Sequence, residues 1–136
     1  MKDVFDMVTD VRSLVNVPVL TSTINGKVYP NLRPDGRTDF ADLVVNGLSI
    51  TNTQQQIGSG NVNGYVPTIT KDGVRVPDQA RLSAMGKSII TLIDNQYHDT
   101  FRVFVDGGAV PMRDTDGSYF VNVPFKYHSI QDNYQI

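Results

Sequence analysis

Few residues of this 136-residue chain have the types and spacing that catalysis or cofactor binding requires. The stretch Gly86-Lys87-Ser88 matches the end of a phosphate-binding loop, but Arg81 stands where that pattern needs its first glycine. The helical periodicity around the stretch also places it inside a helix rather than in a strand-to-helix loop. We therefore interpret Gly86 as a point where another element approaches the helix closely.

Metal-binding patterns are equally incomplete. Asp114-Thr115-Asp116-Gly117 resembles the opening of a calcium-binding loop, but Tyr, Phe and Val occupy positions 119–121, where oxygen ligands should follow. Asp-Gly strongly favours a tight turn between strands, so we interpret this stretch as a hairpin turn. The two histidines, His98 and His128, have no second histidine or carboxylate at ligand spacing. The sequence predicts no metal ligands.

Nucleophile and dinucleotide motifs are also missing. The chain has no cysteine, and no serine lies in a Gly-x-Ser-x-Gly frame. The glycines of Gly58-Ser59-Gly60 and Gly64 lack the spacing and the following helix of a dinucleotide site. The sequence therefore predicts no catalytic residues, no cofactor and no enzymatic activity.

The composition predicts one domain, residues 1–136, with weak electrostatic steering. Charged residues make up 19% of the chain and its formal net charge is −2, so the sequence predicts neither sequence-specific nucleic-acid binding nor membrane attachment. Asp3, Asp6 and Asp10 interrupt any apolar signal-peptide core at the N-terminus. These features lead us to expect a protein made and retained in the cytoplasm, or assembled into a larger structure there.

The periodicity predicts an α+β fold, with an antiparallel or mixed sheet, two helices packed on one of its faces and long β-hairpin loops. An apolar stripe from Val4 to Val15 predicts a helix. This stripe is used either for core packing, which we favour, or for self-association. Asp78 is the expected N-cap of a second helix, over 78–95. Two alternating strands follow, over 101–106 and 119–129. The expected core residues are Leu82, Met85, Ile89, Leu92, Tyr119, Val121, Val123 and Phe125.

The middle of the chain contains the predicted contact surfaces. Asn25-Gly26 predicts a β-hairpin turn between two extended segments. A strand over 40–51 should contain a bulge or turn at Asn46-Gly47. The uncharged stretch 53–60 lacks periodicity and predicts a mobile loop or the tip of a long hairpin. Because both polar segments are too irregular for the core, we predict an assembly interface formed by Asn25, Gly26, Thr53, Gln54, Gln55, Gln56, Ile57, Gly58 and Ser59.

The order of elements resembles that of the small tail-terminator, or tail-completion, proteins of long-tailed bacteriophages and prophages. The stretches that carry the resemblance are 26–30, Arg33-Pro34, Asp39 to Val45, the strand Gly60 to Val66 leading into the 78–95 helix, and Arg113 to Phe120 leading into the last strand. They span nearly the whole chain and are patterns of structure more than of chemistry. The stretch 53–60 has no counterpart in the family pattern.

The resemblance implies a virion structural protein located in the tail or neck and assembled in the bacterial host cytoplasm. Such proteins form a ring, commonly six-fold, that stops growth of the tail tube and offers a docking surface to the head connector. The implied partners are other copies of this chain, the tail tube protein and a head connector or neck protein. Other neck or minor tail components, a monomeric adaptor domain and a small α+β enzyme remain as alternatives.

Overall fold

The computed structural model describes residues 1–129 of the chain. The described elements are, in chain order, α1 (Val4–Val15), α2 (Pro18–Thr21), β1 (Val28–Pro30), β2 (Leu43–Ile50), β3 (Gln56–Val66), β4 (Ile69–Lys71), β5 (Val74–Val76), α3 (Gln79–Ile93), β6 (Gln96–Tyr97), β7 (Phe101–Val105), β8 (Val110–Arg113) and β9 (Tyr119–Ser129).

Most of the strands form one mixed sheet, with the order β1-β2-β3-β9-β7-β6. The β1–β2 pair is parallel and the other pairs are antiparallel. Strand β8 continues the edge begun by β7, so the two strands pair with successive parts of β9. A turn over 114–118 closes this long hairpin, in which the Asp114 amide donates to the Ser118 carbonyl over 2.8 Å. The predicted hairpin turn is confirmed.

Helices α1 and α3 pack side by side on one face of the sheet, as the α+β prediction expects. Asp3 caps α1 by accepting a hydrogen bond from the Asp6 amide, and Asp78 caps α3 by accepting one from the Arg81 amide. Each cap satisfies a backbone donor that the first turn leaves without a partner. The apolar stripe of α1 is buried at Met7, Val8, Val11 and Val15, so it serves the core.

The core lies between these helices and the strands opposite them. Of the eight predicted core residues, six are buried, whereas Leu92 and Tyr119 are half-buried at the margin. Along β9 the odd-numbered residues from Val121 face the helices and the even-numbered residues face away. The sequence alternation therefore describes the orientation of this strand correctly.

Proline lies within β9 although β9 is a central strand. The Pro124 carbonyl accepts a hydrogen bond from the Asp106 amide over 2.9 Å. Because the N–H and C=O of one residue in an extended strand point to the same side, the donor that proline lacks would face the same neighbour. On that side Pro124 faces the segment between the end of β7 and the start of β8. The missing N–H therefore lies where the hydrogen-bond ladder along β9 is interrupted.

The prediction of a hairpin at Asn25-Gly26 is wrong. The preceding segment begins as the short helix α2, and β1 after it pairs in parallel with β2. The Asn25 side chain instead accepts a hydrogen bond from the Ala41 amide at 2.7 Å, and its amide donates to the Asp39 carbonyl at 3.3 Å. Contacts with residues distant in sequence therefore determine this bend.

The stretch 53–60 was predicted to be either a mobile loop or the tip of a long hairpin, and the second alternative holds for its first three residues. The tip of the β2–β3 hairpin is 51–55, whereas the prediction is wrong from Gln56 onwards, where β3 begins. The predicted irregularity near Asn46-Gly47 is present as a register shift between Gly47 and Ser49. Gly60, which faces the core, has no room for a side chain, since a Cβ there would lie 2.2 Å from the Asn46 carbonyl oxygen. Glycine in β3 thus serves close packing.

We predict that Ile89→Ala lowers the free energy of unfolding by about 2–5 kcal/mol, because this fully buried side chain leaves a cavity between α3 and β3. Urea denaturation followed by circular dichroism would measure the change. Val19→Ala is the matched control, since Val19 is 72% exposed and its truncation should change stability by less than about 0.5 kcal/mol. Equal losses in the two variants would contradict this description of the core.

Candidate functional site

The sheet has a helix-free face, opposite α1 and α3, whose centre is polar. Asn61 donates from Nδ2 to Asn46 Oδ1 over 3.3 Å, and Asn122 donates from Nδ2 to Asn63 Oδ1 over 2.8 Å. Each bond joins residues directly opposite each other on neighbouring strands. These amides pair across strands β2, β3 and β9 and give the face a wettable, uncharged centre.

A buried carboxylate organises the segment that borders this face. Asp42 has no exposed side-chain surface, although it lies at the end of a loop, immediately before the first residue of β2. Its Oδ1 accepts from the Lys27 amide at 2.9 Å and from Arg37 Nη2 at 2.8 Å. Its Oδ2 accepts from Arg37 Nε at 3.1 Å and Arg33 Nη1 at 3.3 Å. One carboxylate thus holds both ends of the 27–42 segment.

Burial alone would raise the pKa of the Asp42 carboxyl. The hydrogen bonds from Arg37, the Lys27 amide and Arg33 outweigh that effect and hold the pKa below its usual range. The hydrogen bond to Asp42 in turn raises the pKa of Arg37. Asp42 is therefore ionised at neutral pH, and its charge is compensated inside the fold.

Arg33 connects this segment to the 114–118 turn. Its guanidinium carbon lies 3.5 Å from the centroid of the Tyr65 ring, and its Nη2 donates to Ser118 Oγ over 3.0 Å. Asp116 accepts from the Ser118 hydroxyl and amide, which lowers the pKa of the Asp116 carboxyl. Burial and the hydrogen bond to Asp114 both raise the pKa of Tyr65. The shifted pKa values at this site therefore arise from contacts that hold the fold together.

A polar cleft of about 430 Å³ lies between the two loops, on the helix-free face. Its floor comes from β2 and β3, and its walls come from the 31–38 loop and the 114–116 turn. The side chains that form the floor are Val44, Asn46, Asn63 and Tyr65. The cleft has uncharged amides at its base, which suits contact with a polar protein surface better than activation of a small substrate.

Asn25 and Gly26, from the predicted interface, belong to the Asp42 region. A Cβ on Gly26 would lie 2.0 Å from Asp42 Oδ1 and 2.5 Å from the Ala41 carbonyl oxygen, so no larger residue fits. Asn25 is exposed, but its side chain is engaged by the backbone at Ala41 and Asp39. Both residues therefore have structural roles, whatever they contact in an assembly.

The other predicted interface residues lie at the opposite end of β2. Ile50 lies seven residue steps along the strand from Leu43, so the two groups are roughly 23 Å apart. Thr53, Gln54 and Gln55 are exposed at the hairpin tip, as an interface requires. The remaining residues are strand residues, of which Gln56 and Gly58 are buried, Ser59 is half-buried and Ile57 is 45% exposed.

Gln56 connects the hairpin to the N-terminus. Its Nε2 donates to the Lys2 carbonyl over 2.7 Å, and its Oε1 accepts from the Lys2 amide over 2.9 Å. The Lys2 ammonium contacts Asp10 over 2.6 Å, and Asp10 also accepts from the Tyr127 hydroxyl. Burial and this last bond raise the pKa of Tyr127. Gln56 thus holds the start of β3 against the N-terminus.

Two exposed apolar features were absent from the sequence prediction. Residues 67–77, which we term the arm, form a two-stranded hairpin of β4 and β5 that is separate from the main sheet. An apolar cleft of about 380 Å³ lies between α3 and β8. Asp72-Gly73, a pair that favours a tight turn between strands, was the sequence signal for the arm.

Within residues 1–129, no three His, Asp or Glu side chains lie close enough together to hold a metal ion. His98 stacks on Phe101, and His128 lies on the helix-free face near Phe104. Burial and the neighbouring Arg102 lower the pKa of His128. No described helix is both long and apolar enough to cross a membrane.

No family model matches this sequence, and no curated protein sequence matches it significantly.

We predict that Asp42→Asn lowers the free energy of unfolding by about 3–5 kcal/mol at pH 7, because it leaves Arg33 and Arg37 without their shared anion. The folded pKa of Asp42 is depressed, so its stabilisation is complete above the unfolded pKa of about 4 and declines as the pH falls through the folded value. The difference between wild type and variant should therefore shrink at low pH.

Urea denaturation at pH 7 and at pH 3 would measure this difference. Asp35→Asn is the matched control, because Asp35 is an exposed carboxylate in the same loop. A loss in Asp42→Asn that equals the loss in Asp35→Asn at pH 7 would contradict the role given to the buried carboxylate.

Proposed function

We propose that this chain is a structural protein of a tailed bacteriophage or prophage that ends the tail tube at the head–tail junction. It acts by forming a ring with copies of itself and by contacting the tail tube on one side and a neck or head-connector protein on the other. The proposed location is the virion, after assembly in the bacterial host cytoplasm. Neither catalysis nor a cofactor is part of this role.

The observation that carries the proposal is the order of elements. The stretches that resemble the family map onto β1, the loop and strand start over 33–45, β3 leading into α3, and the 114–118 turn leading into β9. The resemblance implies an α+β fold, and the described fold belongs to that class. Agreement of these stretches in the order of elements supports the tail-terminator role.

The distribution of polar and apolar surface also supports assembly. A ring subunit needs two different complementary surfaces. The chain has several separate exposed features, namely the 51–55 hairpin tip, the arm, the apolar cleft and the helix-free face. Apart from His128, the described groups with shifted pKa values lie in hydrogen-bonded pairs that hold the fold, which supports assembly over a small enzyme.

The experiment is to disrupt the gene in a phage or prophage that encodes this chain. We predict tails of abnormal length that do not join heads, because nothing would stop the tube or connect it. Electron microscopy of lysates would measure tail length and the fraction of joined particles. Particles of normal length and yield would overturn the proposal, and headless tails of normal length would indicate another neck component.

Complementation would test the predicted tip. We expect Gln54→Glu combined with Gln55→Glu to restore particles less well than the wild-type gene, because the added carboxylates would lose water in the contact without gaining a cationic partner. Thr9→Glu is the control, since Thr9 lies on the exposed side of α1, away from the predicted interface. Full rescue by the tip variant would show that 54–55 are outside the interface.

A further inference from the structure

The 51–55 tip rests on a single buried side chain. Every residue from Thr51 to Ile57 is exposed except Gln56, which is 1% exposed. The Gln56 Nε2 donates to the Thr51 carbonyl over 3.0 Å, across the base of the tip. Beside that bond, the Thr51 amide donates to the Ile57 carbonyl over 2.9 Å, and the Ile57 amide donates to Thr51 Oγ1 over 2.8 Å. The contacts that hold the Gln56 amide group therefore also hold the base of the tip.

The Gln56 amide group is held by Lys2, the residue that precedes the α1 cap. Gln56 Nε2 also donates to the Lys2 carbonyl, and Gln56 Oε1 accepts from the Lys2 amide, so one side chain pairs with both backbone groups of a residue 54 positions away. A side-chain amide has two N–H donors, and here one goes to Lys2 and the other to Thr51. Gln56 cannot keep both bonds if Lys2 moves away from the base of the tip.

The Lys2 side chain is fixed independently of its backbone. Its ammonium donates to Asp10 Oδ2 over 2.6 Å and to Thr100 Oγ1 over 3.0 Å. The same ammonium lies 5.1 Å from the centroid of the Phe101 ring and 5.8 Å from that of the Tyr127 ring. Only 22% of the Lys2 side chain is exposed, and partial burial strengthens both the ion pair and the contacts with the rings. The ammonium therefore holds the Lys2 backbone in its place.

We propose that Lys2, Gln56 and Asp10 form a clamp that sets the conformation of the 51–55 tip and thereby controls its contact with a second copy of this chain. When the clamp is closed the tip is already ordered, so less conformational entropy is lost on association. When the clamp is open the tip lacks its buried support and opens locally.

The coupling acts in both directions. Because linkage between two sites is reciprocal, a second copy bound at the tip also favours the closed clamp. This inference rests on the proposed self-assembly through the tip and adds the intramolecular contact that regulates it.

Hydrogen exchange of the purified protein tests the clamp. Lys2→Met removes the ammonium and keeps a side chain of similar length that still packs against the aromatic rings. We expect the Thr51 and Ile57 amides to exchange about tenfold faster in this variant, because opening the tip no longer displaces an anchored Lys2. Amides of the arm should exchange at the wild-type rate, since the arm is separate from the main sheet.

Lys87→Met is the matched control, because Lys87 is exposed on α3, which packs on β3 at Gly64 rather than at the tip. It should leave the exchange of the Thr51 and Ile57 amides unchanged. Unchanged tip exchange in Lys2→Met would overturn the clamp. Equal acceleration in the tip and the arm would also overturn it, because that result would indicate general loosening of the chain.

Sedimentation tests whether the clamp controls association. Lys2→Met should weaken self-association about fivefold, because the tip then has to be ordered within the contact. The variant with Gln54→Glu and Gln55→Glu should also weaken it, which places the tip in the contact. Weakening by the tip variant but not by Lys2→Met would overturn control by the clamp, and so would a wild-type protein that stays monomeric at its highest soluble concentration.

The outcomes separate this inference from the proposed function. Unchanged tip exchange would overturn the clamp whatever the phage experiment shows. Faster tip exchange with unchanged self-association would overturn control of assembly and leave the proposed function standing. Normal phage particles after gene disruption would overturn the proposed function without changing the exchange result.

Discussion

The buried Asp42 carboxylate is the interaction on which the arrangement of the surfaces depends. It joins the Lys27 amide before β1 to Arg33 and Arg37 in the loop before β2. Arg33 extends the connection to Ser118. A charge without exposed surface is costly unless it is fully compensated, so loss of any one donor affects the whole arrangement. Three segments distant in sequence thus have their positions set by one ionised group.

This constraint determines which surfaces are available to partners. The Asp42 network holds the 31–38 loop over one end of the helix-free face and leaves the Asn pairs of β2, β3 and β9 open beside it. At the other end of β2, Gln56 ties the start of β3 to the N-terminus, and the 51–55 tip and Ile57 lie exposed beside it. The folded parts of the chain thus separate its exposed features, as the proposed assembly requires.

Local periodicity was sufficient to predict the elements that bury one face. The stripes of α1 and α3 and the alternation of β9 each repeat over enough residues to show their period, and their caps and turns agree with them. The bend at Asn25-Gly26 was mispredicted because its partners, Ala41 and Asp42, lie more than ten residues away. Such contacts have no local sequence signal.

The start of β3 was missed for a different reason. Glycine stands at Gly58 and Gly60 on the side that faces the core, so the usual alternation of apolar residues is absent there. The arm was missed because its strands are three residues long and exposed on both faces, which leaves Asp72-Gly73 as its only signal. The candidate contact surfaces lie largely in these segments, where burial imposes no pattern on the sequence.

The proposed role places this chain between head and tail. Immunogold labelling of purified particles from a phage or prophage that encodes the chain, viewed by electron microscopy, locates the protein in the particle. We expect gold at a single position, the head-proximal end of the tail, on nearly all joined particles. Gold along the tube, at the distal tip or absent from intact particles would rule out the proposed location.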